Sequence, residues 1–266
     1  VAAAKEIGLS AIAVTDHDTT AGLAEAIQAG RQQGLRVLPG IELAARFEGQ
    51  EIHILGYGFE PASRALLQAI GFVIKAREER NRRMAQAITG LGCTVDYDEM
   101  LRRFPDAVIA RPHFAQVLIE RGFSDSYQAA FQDYLNPGRP GYVARELLTI
   151  PQAVTAIHDA HGLAVLAHPL QYKFPEGQFQ RFLDASASAG MDGLETYYTG
   201  YTPEQVNMLA RTAVSRGWLV TGGSDYHGAR KPQIHLGFGD GNLAVDDQIL
   251  AELDRALERL KSPAGS

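Results

Sequence analysis

Four apolar runs in this chain close on side chains that bind cations. Ser10-Ala-Ile-Ala-Val-Thr-Asp-His17 ends in Asp16 and His17, and Leu35-Arg-Val-Leu-Pro-Gly-Ile-Glu42 ends in Glu42. Gly162-Leu-Ala-Val-Leu-Ala-His-Pro169 carries His168, and Trp218-Leu-Val-Thr-Gly-Gly-Ser-Asp-Tyr-His227 ends in Asp225 and His227. A fifth run, Ile52 to Phe59, carries His53 near its start. Imidazoles mixed with carboxylates suit manganese, iron or zinc better than magnesium alone. Such ions bring the pKa of a bound water down to about 7 and steady a leaving oxygen. A few buried-strand residues followed by a ligand put that ligand at a strand C-terminus, where α/β barrels keep their active sites. One such run would mean little, whereas four point to one shared metal site. Each also has a plainer reading alone. Asp225 and His227 could cap a turn, His168 and His53 could be satisfied core histidines, and Glu42 could cap the next segment.

These residues need a scaffold, and the pattern supplies strands alternating with helices. Helices are expected over Val1 to Gly8 and over Leu23 to Gln33, the second stopped by Gly34 in a left-handed cap. After Pro61 the strand signals stop. Ser63 to Ala87 reads as a long helix, and Tyr97 to Phe104, Pro112 to Arg121 and Ser124 to Tyr134 as shorter ones. Residues 62–148 therefore read as an all-helical insertion that leaves through the turn-rich Asn136-Pro-Gly-Arg-Pro-Gly141. Alternation resumes with helix Pro151 to His161, strand 163–167, helix 176–189, strand Gly193 to Tyr198, helix Pro203 to Arg216, strand Trp218 to Thr221 and helix Asp246 to Lys261. Ser262 to Ser266 reads as a frayed tail. The expected fold class is α/β: a distorted (β/α)7 TIM-like barrel from residues 1–61 and 149–266, with a helical insertion domain over 62–148. Six strands are counted. A barrel that opens on a helix implies a strand before it, so a leading strand upstream of Val1 is expected as the seventh.

Composition narrows the partners. The chain has 266 residues, 45% of them hydrophobic, and a net charge of −6, so no global basic field is available to hold duplex DNA. An anionic substrate then needs a locally positive pocket, which bound cations can supply. The single cysteine, Cys93, forbids an intrachain disulfide framework and suits a reducing cytoplasm. No apolar stretch reaches the roughly 18 residues of a membrane span.

Taken in order, Thr15-Asp16-His17, Gly40-Ile-Glu42, His53-Ile-Leu-Gly-Tyr57, Arg111-Pro-His113, Ala167-His-Pro169, Glu195-Thr-Tyr197 and Gly223-Ser-Asp-Tyr-His227 resemble the PHP (polymerase and histidinol phosphatase) metal-dependent phosphoesterases. The insertion and Asn136-Pro-Gly-Arg-Pro-Gly-Tyr-Val143 resemble the branch that hydrolyses nucleoside 3′,5′-bisphosphates and trims RNA from the 5′ end. The resemblance implies removal of a 3′-phosphate by a hydroxide bridging two ions, with no covalent enzyme intermediate. It also implies two to three divalent ions, manganese foremost, with iron or zinc as alternatives. Glu42 would bridge, His53 and His168 would complete one ion, and His17 and His227 would serve another. Asp225 would serve a third position, and Asp225, His227 and Glu42 form the catalytic set. The implied partner is a small nucleotide or a short RNA, with neither duplex DNA nor a membrane.

One departure stands out. The family opens with Asp-Leu-His-x-His and then Ser-Asp-Gly, and this chain has neither. Losing a barrel strand would uncover core side chains at about 1.5–3 kcal/mol each. That total rivals a domain's whole stability of about 5–15 kcal/mol, so an upstream segment is expected. The alternative is a catalytically defective PHP domain acting as a binding module.

Arg111 and His113 open a helix, where free backbone N–H groups favour anions. Arg139 and Tyr142 lie in the Pro/Gly turn, and a planar guanidinium suits a second phosphate. These four are the expected substrate-binding residues. Asp16 is read as orienting a ligand, His235 as lying at the rim, and Glu195 and Tyr197 as either functional or barrel lining. His158 and His161 fit a helix C-terminus. The charged stretch Lys75 to Arg83 reads as a solvated face, and Cys93 as structural.

Overall fold

A computed structural model describes residues 1–105 and 108–261, so the Ser262 to Ser266 tail lies outside the described residues. The chain divides into two compact units, Val1–Gly71 with Leu147–Ser266, and Phe72–Glu146.

The first unit is built on one curled sheet, a half-barrel in the described residues. Its strands are β1 (Ala11–Val14), β2 (Arg36–Phe47), β3 (Gln50–Tyr57), β4 (Leu148–Thr149), β5 (Leu163–Leu166), β6 (Gly193–Tyr198) and β7 (Leu219–Gly223). They lie in the order β1-β2-β3-β5-β6-β7, with β4 paired to β2. The six expected strands are present. The seventh in the described sheet is the two-residue β4, at the boundary where the insertion read from sequence ends and the barrel resumes. Among the described residues β1 and β7 are the two ends of the sheet and do not pair with each other.

Strand β2 departs most from expectation. It does not stop at Glu42 but runs on to Phe47. Glu48 and Gly49 then take positive φ values of 44° and 83°. Two left-handed residues make a tight hairpin turn whose twist matches that of the flanking strands. β3 therefore folds back antiparallel on β2, with Glu42 opposite Leu55 and Ala44 opposite His53, and it also runs antiparallel to β5. Glu42 is thus a mid-strand residue and not a strand end.

The helices follow local signals. Leu23–Gln33 ends at Gly34 with φ 65°, the expected left-handed cap. Ile150–His158 and Pro203–Ser215 each begin with a threonine cap answered by a glutamine three residues on. The terminal helix Asp247–Lys261 sets Leu253, Ala256 and Leu257 against Leu38, Leu55, Tyr57, Leu163 and Val165 of the sheet. A Cβ on Gly58, at φ 70°, would lie 2.5 Å from Leu257 Cδ1, so this close approach requires glycine.

The second unit is helical. The helix Arg64–Gly90 runs into it, followed by Tyr97–Arg103, Arg111–Glu120, Tyr127–Ala130 and a π-turn at Phe131–Leu135. Met84, Ile88, Tyr97, Phe114, Leu118 and Leu135 belong to its buried core, which also takes in Cys93. Asn81 interrupts the charged stretch of the long helix by turning inward, where its amide donates to Ile109 O at 2.9 Å.

Candidate metal centre

Glu42 is the hub. It lies mid-strand in β2, buried, and both its backbone groups are pinned to the segment that follows β1. Its N–H donates to Asp16 O at 3.1 Å and its O accepts from Asp18 N at 2.9 Å. Three imidazoles converge on its carboxylate. His53 Nδ1 is 2.8 Å from Oε1, His168 Nε2 is 2.9 Å from the same oxygen, and His17 Nε2 is 3.4 Å from Oε2. His53 Nδ1 and His168 Nε2 are themselves 3.3 Å apart. His17, Glu42 and His53 offer ligand atoms that all lie within 4.8 Å of one another.

Asp225 and His227 form the adjoining half. The His227 ring lies 6.3 Å from that of His17, centroid to centroid. Its Nδ1 is 2.7 Å from Asp225 O and 3.4 Å from Asp225 Oδ1. Asp225 Oδ2 accepts from Tyr198 OH at 2.9 Å and from Lys231 Nζ at 3.0 Å. All six side chains singled out as ligands in the sequence therefore gather at one site.

Charge follows from this geometry. Burial disfavours an ionised Glu42, but the hydrogen bonds of His168 and His53 outweigh it and hold the carboxyl well below the usual range. Burial likewise opposes a charge on His53. Hydrogen bonds to Glu42 and Glu51 prevail and push its pKa up to about 9. His17 goes the other way, because burial dominates and keeps its ring neutral. Glu195 is fully enclosed, and burial raises its pKa well above the carboxylate range.

The donor set fits a divalent cation. Oxygen and nitrogen ligands at about 2.0–2.2 Å from an ion sit roughly 3–3.5 Å from each other, and the separations around Glu42 run from 2.8 to 3.4 Å. Three imidazoles, two of them on one carboxylate oxygen, also bring ring nitrogens to within 3.3 Å of each other, a cluster of ligand atoms rather than a single ion pair. His168 Nδ1 is buried with no hydrogen-bond partner among the described residues, which leaves polar capacity unspent.

Sequence reading missed the supports. Asp18, buried and at φ 55°, accepts from Ala44 N with Oδ1 at 2.9 Å, so its side chain, rather than that of Asp16, braces β2. Tyr172 OH bridges β3 and β5, accepting from His53 N at 2.8 Å and donating to Ala167 O at 3.2 Å. Tyr198, not Tyr197, reaches Asp225, because β6 slips register against β7 between Glu195 and Tyr197. Such a bulge re-aims side chains that strict alternation would misplace. Lys231 had a legible signal, since it follows His227 by four residues in a short turn. His235 is exposed, and its backbone closes a tight loop with Gly239.

The four expected substrate residues belong to the second unit. Arg111 lies between two rings, 5.8 Å from Phe131 and 5.9 Å from Tyr142. His113 Nδ1 accepts from Ala110 N at 3.1 Å and so caps its own helix. Arg139 is exposed in the Pro/Gly turn.

Residues 1–136 match the PHP domain. Over 249 residues the chain is 33% identical to the 3′,5′-nucleoside bisphosphate phosphatase of Chromobacterium violaceum, covering 93% of this chain and 87% of that protein. This chain belongs to the PHP family. It is also 33% identical over 223 residues to a 5′-3′ exoribonuclease of Haemophilus influenzae, covering 83% and 80% of the two. The fold superposes on a solved structure described as a metal-dependent phosphoesterase of Bifidobacterium adolescentis, with TM-score 0.75 and 31% identity over 94% of this chain and 87% of that one. This PHP chain is accordingly a metal-dependent hydrolase of phosphoric esters. No helix among its described residues is long and apolar enough to cross a membrane.

Proposed function

We propose that this chain removes the 3′-phosphate from nucleoside 3′,5′-bisphosphates with the help of two to three divalent cations, manganese foremost and iron or zinc as alternatives. Glu42, His17, His53 and His168 would hold one part of that set, and Asp225 with His227 the other. The observation that carries this reading is Glu42 Oε1, approached by two imidazole nitrogens at 2.8 and 2.9 Å. Bound cations would supply Lewis acidity toward the phosphoryl oxygens and a water that ionises near neutral pH.

The remaining work falls to the chain's own groups. Tyr198 and Lys231 fix one oxygen of Asp225, leaving the other to face His227. The partly exposed Lys231 ammonium adds a fixed positive charge that opposes the dianion of a phosphate ester. His17, neutral at physiological pH, keeps a lone pair for a ligand. His53 carries a proton shared toward Glu42, and its Nδ1 would have to give that proton up to serve as a ligand, so cation affinity would fall with pH. In the second unit, Arg111 stands over the rings of Phe131 and Tyr142, and Arg111, His113, Arg139 and Tyr142 are the residues we propose for binding substrate phosphate.

A second reading is 5′-to-3′ trimming of short RNA with the same residues. The equal identity to the Haemophilus exoribonuclease favours keeping it. Inorganic phosphate release from a nucleoside 3′,5′-bisphosphate in Mn²⁺, run beside shortening of a 5′-phosphorylated oligoribonucleotide, separates the two. Phosphate release without shortening is the expected result, and shortening without phosphate release transfers the assignment to the nuclease.

A further inference from the structure

We infer that Glu195 is a positioning residue. It holds the backbone of His168 in the bend that brings its imidazole to Glu42. The inference rests on the cation reading above.

It begins with a local conflict. His168 precedes Pro169, and the residue before a proline is driven toward extended backbone. His168 instead sits at φ 27° and ψ 58°, in the left-handed region that a residue with a Cβ also avoids. A conformation disfavoured on both counts persists only where its surroundings over-determine it. This bend ends β5 and starts the short turn Pro169–Tyr172. The last ladder bond on the β3 side is Ala167 N–H to His53 O at 3.2 Å. The next N–H, that of His168, turns to a side chain on the neighbouring strand, Glu195 Oε2, at 2.7 Å.

The other anchors act elsewhere. Tyr201 OH accepts from Leu170 N at 2.9 Å, and Tyr172 OH donates to Ala167 O. Only Glu195, among the described residues, takes the N–H of His168 itself. Glu195 is 5% exposed, so an acid has been enclosed in the sheet interior with a backbone amide as its hydrogen-bond donor. The bulge in β6 sets both Glu195 and Tyr198 toward the site, where each braces one proposed ligand, His168 and Asp225. Outer partners of this kind orient the groups that bind the ion.

The test is Co²⁺ titration of the chelator-stripped full chain, read by visible absorption, with a thermal melt in EDTA as the check on folding. Glu195→Gln keeps an acceptor for the amide, and Glu195→Met fills the space without one. Glu195→Asp draws the acceptor back by a methylene while staying polar, which covers the event that the Met variant fails to fold. The Gln variant should bind within roughly threefold of the parent with the same spectrum, and the Met and Asp variants should lose about 10- to 100-fold with an altered spectrum. A folded Met or Asp variant with parental affinity and spectrum would overturn the inference, as would a Gln variant no better than Met. A parent chain that binds no Co²⁺ would overturn the cation reading instead.

Discussion

Around Glu42 three imidazoles crowd one buried carboxylate, whereas at Asp192 a single imidazole meets a carboxylate that is already balanced. His158 Nε2 and Ala164 N both lie 2.7 Å from Asp192 Oδ2, and Asp192 N returns a bond to Ala164 O. That pair sits where β5 and β6 begin, at the end of the helix Ile150–His158. The Glu42 group draws His168, Asp225 and His227 from just beyond the other ends of β5 and β7. Both groupings contain the same residue types. At Asp192 each donor has its acceptor, and the result is a tie between helix and sheet. At Glu42 ring nitrogens face each other across 3.3 Å, an arrangement that a cation resolves and a proton satisfies only in part. A surplus of facing ligand atoms, more than the presence of histidine and acid, distinguishes a cation site from a structural pair.

The largest expected effect lies in activity. Glu42→Gln should lower phosphoester hydrolysis by more than the roughly 100-fold that loss of an outer partner gives, measured as phosphate release in Mn²⁺. Asp192→Ala should leave it within a factor of about two, because Asp192 belongs to the other grouping. Equal losses in the two variants would erase the distinction between them.

Cation-dependent stability sharpens it further. At a hundredfold excess over its dissociation constant, Mn²⁺ should stabilise the folded chain by about 2.7 kcal/mol, which shifts the melting temperature by several degrees. Glu42→Gln should abolish that shift in differential scanning fluorimetry, and Asp192→Ala should retain it. Without added metal, Asp192→Ala should cost about 1–2 kcal/mol, read from the urea midpoint, by removing the partner of His158 and of Ala164 N–H.

The smallest effect is a pH dependence. The hydrogen bond to Asp192 raises the His158 pKa above 6.5, against the effect of burial. A raised histidine contributes stability that is fully present below its unfolded value and is lost as pH climbs through the folded one. The stability gap between the parent and His158→Gln should therefore be widest below about pH 6.5 and narrow above it. A gap that widened with pH would contradict the pairing.

Much of this was legible one residue at a time. The run Leu163–Leu166 is buried throughout, and His168 follows it as expected. Asp225 and His227 follow β7 in the same way. Gly34 caps its helix as its position suggested. The direction of β3 was not legible because a run of apolar residues carries no sense of parallel or antiparallel. The cue lay in Glu48-Gly49, whose turn geometry decides it. Tyr198 lies one residue beyond the Glu195-Thr-Tyr197 motif, and the bulge in β6 that accompanies its contact with Asp225 is a matter of strand register that the motif does not carry. Asp18 and Tyr172 were missed because their partners are backbone groups from distant strands, and spacing along the chain holds no trace of them.

Local pattern thus determined which side chains could bind a cation and which strands would carry them, since hydrophobic period and cap residues act within a few positions. Which imidazoles share a carboxylate, and which buried groups brace them, was decided only when strands 115 to 126 residues apart in sequence came within hydrogen-bond reach. Side-chain hydrogen bonds extend about 3 Å, so contacts between remote segments exist only once the sheet has assembled.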